Sequence, residues 1–443
     1  MENTQKMRVP RRILSSLLSS VSAGVVPRSG APYIAIGRKD EIAALLSDLE
    51  NIGEGGSAMR FLIGRYGSGK SFLMQLIRGY ALERDFLTAD ADLSPERRLY
   101  GAGGSGLATY RELMKNLASK SAPEGGALPR VIARWIGTLQ AEVGDDPDGS
   151  KLREAVMRTL RDVEFMVGGF DFARVVSAYY RAYLEGNDEQ MSAALCWLRG
   201  EFTSKVEARR ALGFHVSVII DDENWYDFIK LFAVLARKIG YRGLVVFVDE
   251  CVNLYKITHR VSRENNYEKI LSMFNDALQG KAEGLLMVLG GTPQFLEDPR
   301  RGLFSYEALR SRLADSRFTG EGHTVMSAPV IRLRRLSDNE LLALLTRLST
   351  LYADLYGTVA VDADGCERFL RSILARAGAD ELLTPRELIR DFLSLLDVLR
   401  ENEEASFDAL IASCLPKKED GGDDGEGTQG STPAGGFFFN LSL

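Results

Sequence analysis

The stretch "MRFLIGRYGSGKSFLMQLIRGY", Met59 to Tyr80, decides how this chain is read. A largely apolar run, Met59 to Ile63, leads into a glycine-rich loop, and Phe72 to Tyr80 has helical character, so the unit reads strand, loop, helix. Within it Gly64, Gly69, Lys70 and Ser71 match the pattern G-x-x-x-x-G-K-[ST]. Each position does something physical. The glycines let backbone amides turn inward around phosphate oxygens, Lys70 reaches the β and γ phosphates, and Ser71 offers a hydroxyl to Mg²⁺. A glycine-rich turn alone would not ask for lysine and serine at these places.

A nucleotide site also needs a second strand that delivers a carboxylate to the metal. "LVVFVDE", Leu244 to Glu250, has the five apolar residues of a strand buried on both faces, with Asp249 and Glu250 at its carboxyl end. Asp249 is expected to hold Mg²⁺ through water and Glu250 to polarise the attacking water. The same pair also serves, in other settings, merely to cap a following helix. "LLMVLGGTPQF", Leu285 to Phe295, is a third apolar strand, and Thr292 after Gly290 and Gly291 either orients that water or closes an ordinary tight turn.

Around these units the chain is long enough for two or three domains. It has 443 residues, 45% of them hydrophobic and 26% charged, as in soluble globular proteins. Its net charge of −6 repels phosphate, so any nucleic-acid contact must come from a local basic patch. The four cysteines lie far apart without a CxxC pair, and the three histidines do not join them, which argues against a zinc site or disulfide framework. No apolar run has membrane-spanning length, and serines interrupt the mildly apolar start. The expected compartment is the cytoplasm, with no membrane partner.

Residues 1–32 read as an N-terminal arm with an amphipathic helix over 11–22. "YIAIGRKDEIAALLSDL" predicts a short extended piece and then a helix from about Lys39. The first part of an α/β core, 33–103, ends with a strand at Asp85 to Leu93. Apolar residues at every third or fourth position predict an all-helical insertion over 104–213. The core resumes at 214–336 with helix, strand, helix, strand and a last strand in "PVIRLRRL". Helices alone fill 337–416, the place of a lid over a parallel sheet. The acidic, glycine-rich segment 417–436 predicts a flexible tether, and the chain finishes on "FFFNLSL".

This order of motifs resembles the AAA+ superfamily of P-loop ATPases, particularly its origin-recognition and STAND branches. "IGRKDEI", Ile36 to Ile42, is similar to the box that precedes the phosphate loop there, which implies Gly37 and Arg38 near the adenine. The loop residues Arg65, Tyr66, Gly67 and Ser68, and Phe72 behind them, would then surround the nucleotide, and Thr292 would occupy the sensor 1 place. "DADLSPERRLYG", "LATYRELMKNL", "IIDDENWYDFIKL", "VDECVNLYKI" and "GGTPQFLED" look closer still to the BREX-associated ATP-binding proteins of the BrxD type. That resemblance spans roughly residues 30 to 415. It implies ATP as nucleotide, bacterial phage defence as context and a superfamily 2 helicase as neighbour.

The resemblance further implies an arginine given to the adjoining subunit's γ phosphate, and Arg310 or Arg312 in "YEALRSRLADSRF" fits that place. Basic residues at helical spacing are also commonly solvated. Arg386 in "LLTPRELIRDF" matches sensor 2, although Thr384 as cap and Pro385 at the first helical position explain that helix start without a ligand. Origin-recognition proteins carry a winged helix after the lid, and none is expected here. Arg153, Arg158, Arg161, Arg174 and Arg181 of the insertion would instead face DNA or a partner, or form a plain solvated surface. Phe437 to Leu443 predict a docking peptide for the helicase or a neighbouring subunit, or a tail folded on its own body. Together these features predict an oligomeric ATPase that loads a helicase or remodels DNA; the other reading is a nucleotide-sensing scaffold with little turnover.

Overall fold

Leu244–Asp249 forms a strand in which Leu244 to Val248 are all buried and only Asp249 emerges, as expected of a strand covered on both faces. The structure, a computed structural model, describes residues 9–101, 103–146, 149–315, 325–375 and 384–413. Five strands make one sheet: β1 (Ala58–Ile63), β2 (Leu87–Asp92), β3 (Leu244–Asp249), β4 (Leu285–Gly291) and β5 (Val330–Arg332). Their order is β2-β3-β4-β1-β5 and every pairing is parallel. The register sets Asp92 beside Asp249, and Ile63 beside both Gly291 and Arg332. All strands therefore end on one edge, where ligands of open parallel sheets bind.

Alternate strand residues feed two cores. Phe61, Ile63, Val246 and Val248 join one apolar cluster, while Leu62, Val245 and Phe247 join another on the opposite face. The first cluster continues without a break into the helices Leu128–Val143, Ser150–Glu164, Gly169–Glu185 and Asp188–Leu198, through side chains such as Trp135, Leu160, Phe172 and Trp197. The inserted helices thus share a core with the sheet. One piece of this region is not helical: Ala118 exchanges backbone hydrogen bonds with Thr88 of β2, at 2.7 and 3.1 Å. That bridge covers the sheet's outer edge, a place where open amides invite unwanted pairing.

Two local expectations change. The piece at Tyr33–Ile34 is a 3₁₀ turn, Ala31–Ile34, because Gly30 turns left-handed (φ 78°) and Pro32 fixes the next φ in the helical range. The last strand is only Val330–Arg332; Leu333 still donates its backbone N–H to Ile63 at 2.7 Å, and residues 334–336 then lead to the helix Asp338–Tyr356. Among the described residues from Ser337 on, all regular elements are helices. They bury a third cluster together with Leu14, Leu17, Leu18 and Val21 of α1 (Arg11–Ser22), which pins the N-terminal arm to the C-terminal helices, while the next helix, α2 (Lys39–Gly53), packs on the sheet through Leu45, Leu49 and Ile52. The expected tether and the "FFFNLSL" end lie outside the described residues. No helix among the described residues is long and apolar enough to cross a membrane.

Candidate nucleotide-binding site

The loop after β1 is shaped by two left-handed glycines, Gly67 (φ 76°) and Gly69 (φ 88°), a backbone region that other residues enter at a cost. Gly64 is confined differently, since an added Cβ would lie 2.3 Å from Ser68 Oγ. Gly69 precedes α3 (Lys70–Glu83), whose start has no side-chain cap and no acidic residue in its first turn. Its free amides and positive dipole end therefore face the loop, an arrangement suited to an anion. Lys70 Nζ donates to the carbonyls of Gly64 (3.0 Å) and Arg65 (3.1 Å). Burial lowers the Lys70 pKa, and Asp249 and Glu250 oppose that shift.

The decisive contact joins α3 to β3: Ser71 Oγ donates to Asp249 Oδ2 at 2.6 Å. Between these elements lies the end of β4, and Gly290 leaves the room for it, because a Cβ there would sit 2.3 Å from Asp249 Oδ1. The backbone N–H of Glu250 donates to that same Oδ1 at 2.8 Å. Glu250 itself is exposed and holds φ 57°, a conformation costing a non-glycine residue on the order of 1–3 kcal/mol. Asp92, opposite Asp249 in the sheet, adds a third carboxylate. Partial enclosure raises its pKa, with repulsion from Asp249 and Glu250 adding to the effect, although its outer edge stays open to solvent.

One cleft gathers much of this set. It is lined by Tyr66, Gly67, Ser68, Gly69, Lys70, Ser71, Phe72 and Glu250, by Arg38, and by Arg386. Apolar walls come from Val21, Val25, Val26 and Pro27 of the arm, from Ile34 and Ile36, and from Leu336, Leu344 and Ile389. Such a cleft, apolar on one part and rich in amides and cations on another, suits a base joined to phosphates. Sequence reading missed the wall from the arm. Its only signal is a pair of valines, Val25 and Val26, left unassigned between a helix and Pro27.

The remaining expected residues, and the two arginines of the cleft, have partners of their own. Arg38 is buried and fully engaged: it donates to the carbonyls of Ser68 (2.8 Å) and Arg334 (2.7 Å) and to Glu41 (3.2 Å), so it clamps the loop. Gly37 packs against Glu340, whose Oε1 would be 2.6 Å from an added Cβ. Thr292 caps the helix Pro293–Glu297 by accepting from the Phe295 N–H at 3.3 Å. Arg310 is exposed, 4.0 Å from Glu307, and Arg312 is exposed and held by Asn275 and the Ala308 carbonyl. Arg386 donates to Tyr66 Oη at 3.4 Å. Among the described residues no group of three or more His, Cys, Asp or Glu forms a metal cage. Ser71 with Asp249 is nevertheless a fitting donor set for Mg²⁺, which keeps several waters and takes phosphate oxygens in place of a full protein cage.

Over residues 9–414 the sequence matches the family described as BREX system ATP-binding protein BrxC/D. The chain belongs to this BrxC/D family. It is accordingly an ATP-binding component of a phage-defence system, and its partners lie within that system. A comparison with curated proteins found no match. Around this cleft the α3 amides, Lys70 and the Ser71–Asp249 pair are within reach of one another, a set of donors whose chemistry suits phosphate oxygens.

Proposed function

We propose that this protein hydrolyses ATP at the cleft between β1, β3 and the C-terminal helices, and that these helices serve as a lid. The observation that carries the reading is the 2.6 Å contact of Ser71 with Asp249 next to Lys70. Loop amides and Lys70 bind the phosphates, and Ser71 with Asp249 would hold Mg²⁺, which neutralises charge on the phosphate oxygens. Glu250 accepts a proton from water as its oxygen attacks the γ phosphorus; the bond to the bridging oxygen breaks, leaving ADP and phosphate. Arg386 attends the terminal phosphate from the lid, and Thr292 orients the water once its capping bond is given up. Exposed Arg310, or Arg312 beside it, completes the site of an adjoining subunit, which makes the active form an oligomer.

In this reading turnover drives a DNA-associated switch, such as loading or remodelling by the system's helicase, with the arginines of the inserted helices as the DNA face. The second reading, a nucleotide-sensing scaffold, draws on Arg38, which ties the loop to the segment entering the C-terminal helices, and on Gly37, which packs against Glu340 of the first of them, so that occupancy could be sensed without turnover. Two variants test the first. Lys70→Ala should abolish ATP binding measured by calorimetry, whereas Glu250→Gln should bind ATP and lose roughly 10²- to 10⁴-fold in turnover. Tight ATP retention with no turnover in the unaltered, assembled protein supplied with DNA and helicase would favour the scaffold.

A further inference from the structure

Tyr66 is a large aromatic residue inside the phosphate loop, yet it is 78% exposed. It neither supports the loop from beneath nor belongs to any apolar cluster. Its partner is Arg386, the first arginine of the helix Pro385–Glu401: the guanidinium carbon lies 5.9 Å from the Tyr66 ring centre, and Nη1 donates to the phenol at 3.4 Å. No carboxylate competes for Arg386 among its contacts in the described residues. The neighbouring positions fix the same approach. Gly67 is so close to the helix start that a Cβ would stand 2.4 Å from Thr384 Cγ2, and the aliphatic stem of Arg386 rests beside Gly24 of the arm at 3.5 Å from an ideal Cβ. Loop, arm and helix thus meet at one arginine, on the rim of the cleft that also holds Lys70.

We propose that Tyr66 is a positioning residue which holds the Arg386 guanidinium at the mouth of the cleft, ready to meet the terminal phosphate. The proposal rests on the reading of Arg386 as the residue that reaches that phosphate. A free arginine on an exposed helix start samples many rotamers, and holding it against an aromatic face removes most of that freedom before the nucleotide arrives. The ring is also a weaker partner than a phosphate, so Arg386 is released when the stronger one enters. Of the β and γ phosphates that Arg386 would reach, only the β remains in ADP, so losing Tyr66 should weaken ATP more than ADP.

The test compares Tyr66→Ala, Tyr66→Phe, Arg386→Ala and the double variant Tyr66→Ala/Arg386→Ala by calorimetric binding of ATP and of ADP. Tyr66→Ala should weaken ATP about fivefold and leave ADP within about twofold, while Tyr66→Phe, which keeps the aromatic face, stays close to the parent. The double variant should bind ATP no more weakly than Arg386→Ala alone. In nucleotide-free protein, hydrogen exchange of the Glu387 and Leu388 amides, which bond to Thr384, should speed up in Tyr66→Ala. Additive losses in the double variant, or equal losses for ATP and ADP, overturn the proposal and mean that Tyr66 touches the nucleotide itself. An Arg386→Ala protein with unchanged ATP affinity removes the underlying reading of Arg386, a result distinct from failure at Tyr66.

Discussion

At Gly290 a single methyl group decides whether α3 and β3 can share a ligand. An added Cβ would meet Asp249 Oδ1 at 2.3 Å and Met74 Cε at 2.7 Å, so alanine must push the carboxylate or the methionine aside. We expect Gly290→Ala to remain folded at a cost of about 1–3 kcal/mol. Turnover should fall at least about tenfold, while ATP binding through Lys70 changes less, because the loop after β1 is untouched. Thermal melts and steady-state kinetics check this; parent-like turnover would show that Asp249 has no fixed position to lose. The sequence discloses this site unevenly, for a physical reason. Lys70, Ser71, Asp249 and Glu250 are legible because each is placed by local spacing, a glycine loop or the end of an apolar run. Arg38 is named through the resemblance, but its clamp is not legible: the bond to the Arg334 carbonyl spans a long stretch of chain that local pattern does not encode. Neither is the strained φ of Glu250, which only the packed strand ends impose.

Element boundaries carry the second set of consequences. The helix Asp338–Tyr356 opens on a capping box, Ser337 with Glu340, and Glu340 also pairs with Arg334 and backs Gly37. The hydrogen-bonded Arg334 guanidinium, helped by the Ser337 backbone, outweighs partial burial and pulls the Glu340 pKa down to about 2. A carboxylate depressed in the fold stabilises it fully above its ordinary pKa near 4.5 and loses that contribution as pH falls toward 2. The size is on the order of 1 kcal/mol, since Arg334 is well exposed and solvent screens the pair. Urea melts between about pH 5 and pH 3 should therefore show a steeper loss for the parent than for Glu340→Gln; equal slopes would assign acid sensitivity elsewhere. Helix periodicity made α1 and the Pro385–Glu401 helix legible; Thr384 and Pro385 mark the start of the latter, and Ser337 the point from which helices alone follow. That α1 packs on the C-terminal helices, and that the residues after it wall the cleft, was not legible, because an amphipathic face does not name its partner.

Across the whole molecule, one apolar cluster runs from Phe61 and Val246 of the sheet to Trp197 and Phe172 of the inserted helices, so those helices and the sheet share one packed body. The third cluster instead binds the arm to the C-terminal helices, and the cleft lies where these bodies meet. Under the proposed lid, ATP would change how these two bodies sit, and a second copy that completes the site would register the change. Arg310 is the candidate for that contact: it is exposed on the short helix Glu307–Leu313, and its ion pair with Glu307 is long at 4.0 Å. A planar, permanently charged fork at an exposed place is what a neighbour's terminal phosphate requires. Mixing separates shared from self-contained sites. Lys70→Ala lacks its own phosphate grip but keeps Arg310, and Arg310→Ala has the reverse defect, so each alone should be inactive. In a mixed assembly an intact Lys70 of one subunit faces an intact Arg310 of another, and activity should return in proportion to the mixed interfaces formed. If the mixture stays as inactive as its parts while light scattering shows co-assembly, Arg310 does not act across an interface, and Arg312, held by Asn275 and the Ala308 carbonyl, becomes the residue to exchange in the same experiment.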